Sequence, residues 1–345
     1  MIVAALKGLV LLMLVNAGFV LAALGLGQFA PNPQLAFASE RDGDYEIYVA
    51  DLHRWLYMNA SRHLALDRDP VWSPDGMKLA FTSLRDGNKE VYVLDIAGGH
   101  LSNISQHPAN DDSPAWSRDG RWLAFVSERD NNREVYMMRL ADGILMNISQ
   151  HSRPDFAPAW SPDSTLLAFE SWRDGNSEIY IYHLEDQHLT NLSRSPTWEA
   201  TISWAGVGRQ FAFEFAYEMH QWDGNREIYL MDVNRAGDTG LNLTQHYAYD
   251  TNPALSPDSR WLAFTSNREG NLDVYLQVVG SSEARNISRH PAEDHHPVWS
   301  PDGAKLAFIS NRDDNREIYV YDLAAGTLTN VSRHRASDLS PVWRP

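Results

Sequence analysis

From Leu35 to the end, the chain alternates short apolar runs with polar turn signals, and it repeats the pattern. In the copy at 67–105, Pro70-Val71-Trp72-Ser73 is followed by Pro74-Asp75-Gly76, where Pro fixes φ and Gly accepts a positive φ. Lys78–Ser83 alternates as a second strand, Arg85-Asp86-Gly87-Asn88 turns it, and Glu90–Ile96 runs as a third. Gly98-Gly99 turns again into His100–Ser105. No segment of this region sustains a helical period. The Phe of the second strand recurs at Phe37, Phe81, Phe125, Phe169, Phe213, Phe264 and Phe308, with gaps of 44, 44, 44, 44, 51 and 44 residues. The aromatic of the first strand keeps the same beat: Trp72, Trp116, Trp160, Trp204, Leu255 in its place, Trp299 and Trp343.

A fixed period of this length with four strand-like pieces predicts an all-β propeller of four-stranded antiparallel blades. The ends are out of phase. The chain enters at a second strand, Leu35-Ala36-Phe37, and leaves at a first strand, Pro341-Val342-Trp343. Seven blades are therefore expected, the first completed by Pro341–Trp343 pairing beside Leu35–Ser39. Such closure removes free sheet edges.

Residues 1–30 break the pattern. Gly8 to Gly27 is almost uninterrupted apolar sequence, about the length that crosses a hydrocarbon core. The expectation is one N-terminal hydrophobic helix serving as an uncleaved signal anchor, with a cleaved signal peptide as the other reading. Lys7 is its only charge, which keeps the N-terminus inside and exports the rest to a periplasmic or extracellular face. Residues 31–34 then read as a linker and 35–345 as one propeller domain.

Composition narrows the partners. With 45 acidic against 29 basic residues the net charge is −16, which disfavours nucleic acid and favours cationic partners. Cysteine is absent, so there is no disulfide frame, thiol nucleophile or Cys-based zinc site.

Ser-Pro-Asp-Gly, Leu-Ala-Phe, Arg-Asp-Gly-Asn-x-Glu-Ile-Tyr and a following Asp together resemble the WD-like repeats of the TolB type. Good copies span Ser73–Asp95, Ser117–Leu140, Ser161–Leu184, Ser256–Gln277 and Ser300–Asp322. The resemblance covers 35–345 and implies an exported propeller that binds proteins; some related propellers flank hydrolase domains. TolB itself carries an extra N-terminal α/β domain and six blades, so its own partners are not carried over.

Each linker between repeats carries an acid: Asp67, Asp111, Asp155, Glu199, Asp250, Asp294 and Asp338. A ring of carboxylates near the channel mouth would take a cation or a basic peptide. The competing reading makes each one a turn cap or the partner of a neighbouring Arg or His. A His precedes six of them by four residues, at His63, His107, His151, His246, His290 and His334, and six identical pairs read as scaffold rather than as a catalytic site. Arg41, Arg85, Arg129, Arg173, Arg268 and Arg312 are expected to ion-pair with the recurring Glu46, Glu90, Glu134, Glu178, Glu227, Asp273 and Glu317. Seven Asn-x-Ser/Thr sequons, from Asn59 to Asn330, read as fourth-strand residues bonding to adjacent blades rather than as glycan acceptors.

The fifth repeat departs from the rest. It has Ser195 for His, Ala205-Gly206-Val207-Gly208 for Ser-Pro-Asp-Gly, a second turn five residues longer and a third turn two longer. Trp198, Tyr217, His220 and Trp222 there suit a recognition surface on a rigid ring. No nucleophile motif, phosphate loop or calcium loop is present, and no metal or cofactor is assigned. The expected function is a non-catalytic, membrane-tethered or exported platform that binds a protein, peptide or envelope polymer through its top face. The alternative is a channel-mouth enzyme, a polysaccharide lyase or hydrolase, built around His295 and His296.

Overall fold

A computed structural model describes residues 34–206, 208–216, 225–235 and 240–345, with 214–216 described by backbone only. Seven four-stranded antiparallel sheets form seven blades. Their innermost strands are, for blades one to seven, Asp338–Trp343, Asp67–Trp72, Asp111–Trp116, Asp155–Trp160, Trp198–Trp204, Asp250–Leu255 and Asp294–Trp299. Among the described residues the one helical piece is the 3-10 turn Val233–Arg235, and no helix there is long and apolar enough to cross a membrane. The expected N-terminal helix lies outside the described residues.

Closure is as the phase of the repeats requires. Gln34–Ser39 lies between Asp338–Trp343 and Glu46–Asp51, with Leu35 opposite Trp343 and Ser39 opposite Asp338. Arg344 locks the seam from outside, its N–H bonding Gln34 O at 2.9 Å and its guanidinium Gln34 Oε1 at 2.6 Å.

The Leu-Ala-Phe run explains why blades stack. A strand's side chains alternate, so Leu and Phe face one neighbour and Ala the other. Leu79 and Phe81 of blade two pack against Ala36 and Ala38 of blade one, while Ala80 turns to Leu123 and Phe125 of blade three. Seven such clusters occur, one per interface, and the Phe side chains are fully buried. The recurring Trp adds a polar clasp. Indole Nε1 of Trp160, Trp204, Trp299 and Trp343 donates to a carbonyl on the preceding blade's innermost strand at 2.9–3.1 Å.

Candidate functional site

Every innermost strand carries a bulge. In each the register slips just after the residue that follows the linker acid, and the residue two beyond that acid has positive φ: Asp69, Ser113, Ala157, Thr201, Asn252, His296 and Ser340, at 49–57°. Six of these are followed by Pro, which lacks the N–H that a bulge leaves unpaired. The bulge re-aims each strand at its top end, where the acids begin.

Six acids of the expected ring are fully buried and ion-paired. Asp67, Asp111, Asp155, Asp250, Asp294 and Asp338 meet Arg85, Arg129, Arg173, Arg268, Arg312 and Arg41 at 2.8–3.5 Å. Each guanidinium also donates from Nε to the Ser opposite the Asp, as Arg85 does to Ser83 at 2.8 Å, and lies over a Tyr ring, as Arg85 does over Tyr92 at 4.6 Å. Burial pushes these carboxyls up and the Arg pulls them back; Asp338 rises to about 6.

The arginines therefore pair with the ring Asp and not with the recurring Glu, contrary to the expectation from sequence. That Glu is nearer the linker and caps it. Glu46 accepts from Ser61 Oγ at 3.2 Å and His63 N–H at 3.0 Å, and the same contacts recur at Glu90, Glu134 and Glu317. The linker His is a turn former too: His63, His107, His151, His290 and His334 accept from the N–H two residues on through Nδ1. The sequon Asn bonds within its own blade, not to a neighbour. Asn103 Nδ2 reaches Asp86 of the second turn at 2.9 Å, because that turn folds back over the fourth strand.

Blade five breaks this network. Glu199 lies opposite Phe215 where siblings have Ser, and Tyr217 stands in sequence where siblings have Arg. Glu199 is fully buried, accepts from Thr197 Oγ1 at 3.2 Å, and faces no cationic side chain among the described residues. Burial pushes its carboxyl up to about 8; Glu178 adds to the rise, and the hydroxyls of Ser193, Ser195 and Thr197 offset part of it. Trp198 lies edge-on to Trp172 at 4.7 Å between ring centres, and Trp172 to Phe156 at 6.3 Å. Arg133 of blade three lies over Phe156 at 5.1 Å. Trp172 is 37% exposed. Tyr217, His220 and Trp222 lie outside the described residues. Sequence reading passed over Phe156 and Trp172, although Trp172 stands where siblings have Glu40, Leu84, Glu128, Asn267 and Asn311.

In the channel wall His295 and His296 bring their Nδ1 atoms within 2.7 Å. Burial, then the neighbouring imidazole, push His295 down to about 4, so its ring is neutral at neutral pH. Asp294 beside them is held by Arg312 at 2.8 Å.

The model of the TolB beta propeller domain matches residues 23–111, 66–155 and 113–218. No curated protein matches the chain in sequence. TolB from Acinetobacter baumannii is similar in structure, with TM-score 0.59 and 18% identity over 96% of this chain and 71% of that one. An oligogalacturonate lyase in complex with manganese has TM-score 0.66 and 17% identity, covering 89% of this chain and 87% of its own. A puromycin-hydrolyzing peptidase of Mycobacterium tuberculosis has TM-score 0.68 and 14% identity, over 88% of this chain and 52% of that one. At these identities the likeness concerns the fold.

Proposed function

Because the chain belongs to the TolB β-propeller family, we propose that it is a non-catalytic binding platform that takes a protein or peptide on its top face, at blades four and five. One observation carries this reading: among the described residues the Arg–Asp pair built six times is missing at Glu199, and the adjoining Trp198 joins Trp172 and Phe156 in an aromatic cluster. Six blades satisfy their own carboxylate. Among the described residues the fifth gives Glu199 no cation and leaves it a buried acid that holds its proton, while the rings of Phe156, Trp172 and Trp198 are of the kind that attract a Lys or Arg. The occupant is a segment presenting Lys or Arg beside an apolar residue, and the net charge of −16 steers it. The apolar run at 8–27 would hold the propeller at the outer face of a membrane.

The test is a peptide panel against the full chain and its Trp172→Ala variant. Basic peptides are expected to bind, replacing Lys and Arg by Gln to abolish binding, and Trp172→Ala to weaken it by about tenfold, the size of an interfacial aromatic anchor. Binding indifferent to both changes would overturn the reading. The enzyme reading would need a third convergent ligand at His295 and His296; among the described residues the one His/carboxylate group close enough to share a metal lies elsewhere.

A further inference from the structure

That group is on the hairpin between the third and fourth strands of blade four, Glu178–His183 and Leu189–Asn191. This turn opens on the face opposite the linkers. His183 closes the third strand and His188 opens the return. His183 N–H donates to His188 O at 2.9 Å, so the two are directly across from each other. Their rings stack with centres 3.9 Å apart and 13° between planes. Gln187, with φ of 57°, tightens the turn and donates to His183 O at 2.9 Å. That brings Asp186 Oδ1 within 2.6 Å of His188 Nδ1. One ligand atom from each of His183, Asp186 and His188 lies within 4.8 Å of the others.

Comparison with the sibling blades shows what has been given up. Where His183 stands, blades one, two, five and seven have Asp51, Asp95, Asp232 and Asp322. Each of those carboxylates accepts N–H groups of its own turn: Asp95 from Gly98 at 2.7 Å, and Asp51 from His53 and Arg54 at 3.0 Å. A cap of this kind stabilises a turn by satisfying its N–H groups. Blade four lacks it and has instead two imidazoles and a carboxylate facing one another. Burial, then the adjacent His188, hold the His183 imidazole below the usual range. Arg209, which also lowers it, sits 3.6 Å from Asp163, and that carboxylate offsets its charge.

We propose that His183, Asp186 and His188 form a three-ligand site for a late first-row divalent cation, Zn(II) or Cu(II), with solvent completing the coordination. Two nitrogens and one oxygen suit these borderline ions and not Mg(II) or Ca(II), which want oxygen alone. Zn–N and Zn–O bonds of about 2.0–2.2 Å set donors of a tetrahedral site roughly 3.3 Å apart, so the more distant donors must close in while the Asp186 Oδ1–His188 Nδ1 contact opens. The side chains of His188 and Asp186, 50% and 64% exposed, have room to do so. Three ligands from six consecutive residues mean that binding tightens the hairpin without rearranging the blade.

The experiment titrates the full chain with Zn(II) by calorimetry and with Cu(II) by electron paramagnetic resonance. The variants carry residues that sibling blades place at these positions, His183→Val as at Val278 and His188→Ile as at Ile144, so the fold is preserved. Expected are one saturable equivalent, nitrogen hyperfine splitting from two imidazoles, and at least a tenfold loss in either variant. His295→Ala should leave this binding unchanged. Absence of saturable binding, binding equal in wild type and variants, or binding lost on His295→Ala would each overturn the assignment.

Discussion

At the level of single residues, six blades hold a buried Asp against an Arg, while blade five holds Glu199 with no cation among the described residues. The consequence is a distinct pH dependence. The Glu199 carboxyl, near 4.5 when free, is pushed up to about 8 by burial. Between these values the folded chain keeps a proton that the unfolded chain has lost. The unfolded state thus binds fewer protons, and stability falls as pH rises across that window. Asp338, raised to about 6, adds to the decline in its lower part. Glu199→Gln stays neutral throughout, so the fall between pH 6 and 8 should flatten, by up to a few kcal/mol at the alkaline end. Urea unfolding at several pH values measures it, and identical slopes for wild type and variant would refute the buried neutral carboxyl.

At the level of the strand and blade, the interlock of Leu and Phe against Ala makes a prediction about shape. Ala80 lies between blades two and three against Leu123 and Phe125. Ala80→Leu adds volume where the facing side chains are fully buried, and should cost about 1–3 kcal/mol, seen as a lower urea midpoint at unchanged slope. This interlock was legible in the sequence, because a fixed beat of Leu-Ala-Phe is a direct record of strand alternation. The bulge was not, since Asp69, Ser113, Ala157, Thr201, Asn252, His296 and Ser340 share no residue type; the Pro that follows six of them was its one trace. The ring of acids was legible as a pattern, and pairing with a neighbouring Arg was one of its two readings, but the assignment of each Arg to its acid was not. Which of two recurring acids an Arg pairs with depends on turn geometry, and the bulge and second turn bring Arg85 to Asp67 rather than to Glu90. His183 was within reach, as the one His at a position where four siblings have Asp, yet its partners become visible only once the hairpin brings His188 across from it.

For the whole ring, the last strand carries more weight than its six residues imply. Val342 and Trp343 pair with Leu35 and Ala36, Trp343 is buried in the cluster that joins blades one and seven, and its indole donates to Val298 O at 3.1 Å. Deleting 339–345 removes that clasp and leaves Gln34–Ser39 as an unpaired edge with Leu35 and Phe37 uncovered on one side. Each blade interface depends on both neighbours, so the loss should spread round the ring as reduced cooperativity rather than as one frayed blade. The exposed edge should also pair with another copy, because a free strand of this apolar character is a template for association. A permuted chain carrying 336–345 joined ahead of residue 34 keeps the same blade while moving the chain break, and should restore both the cooperative melting and the scattering profile of the full chain. Thermal unfolding together with light scattering separates the outcomes. A truncated protein that melts as the full chain does would show that the propeller stands without its closing strand.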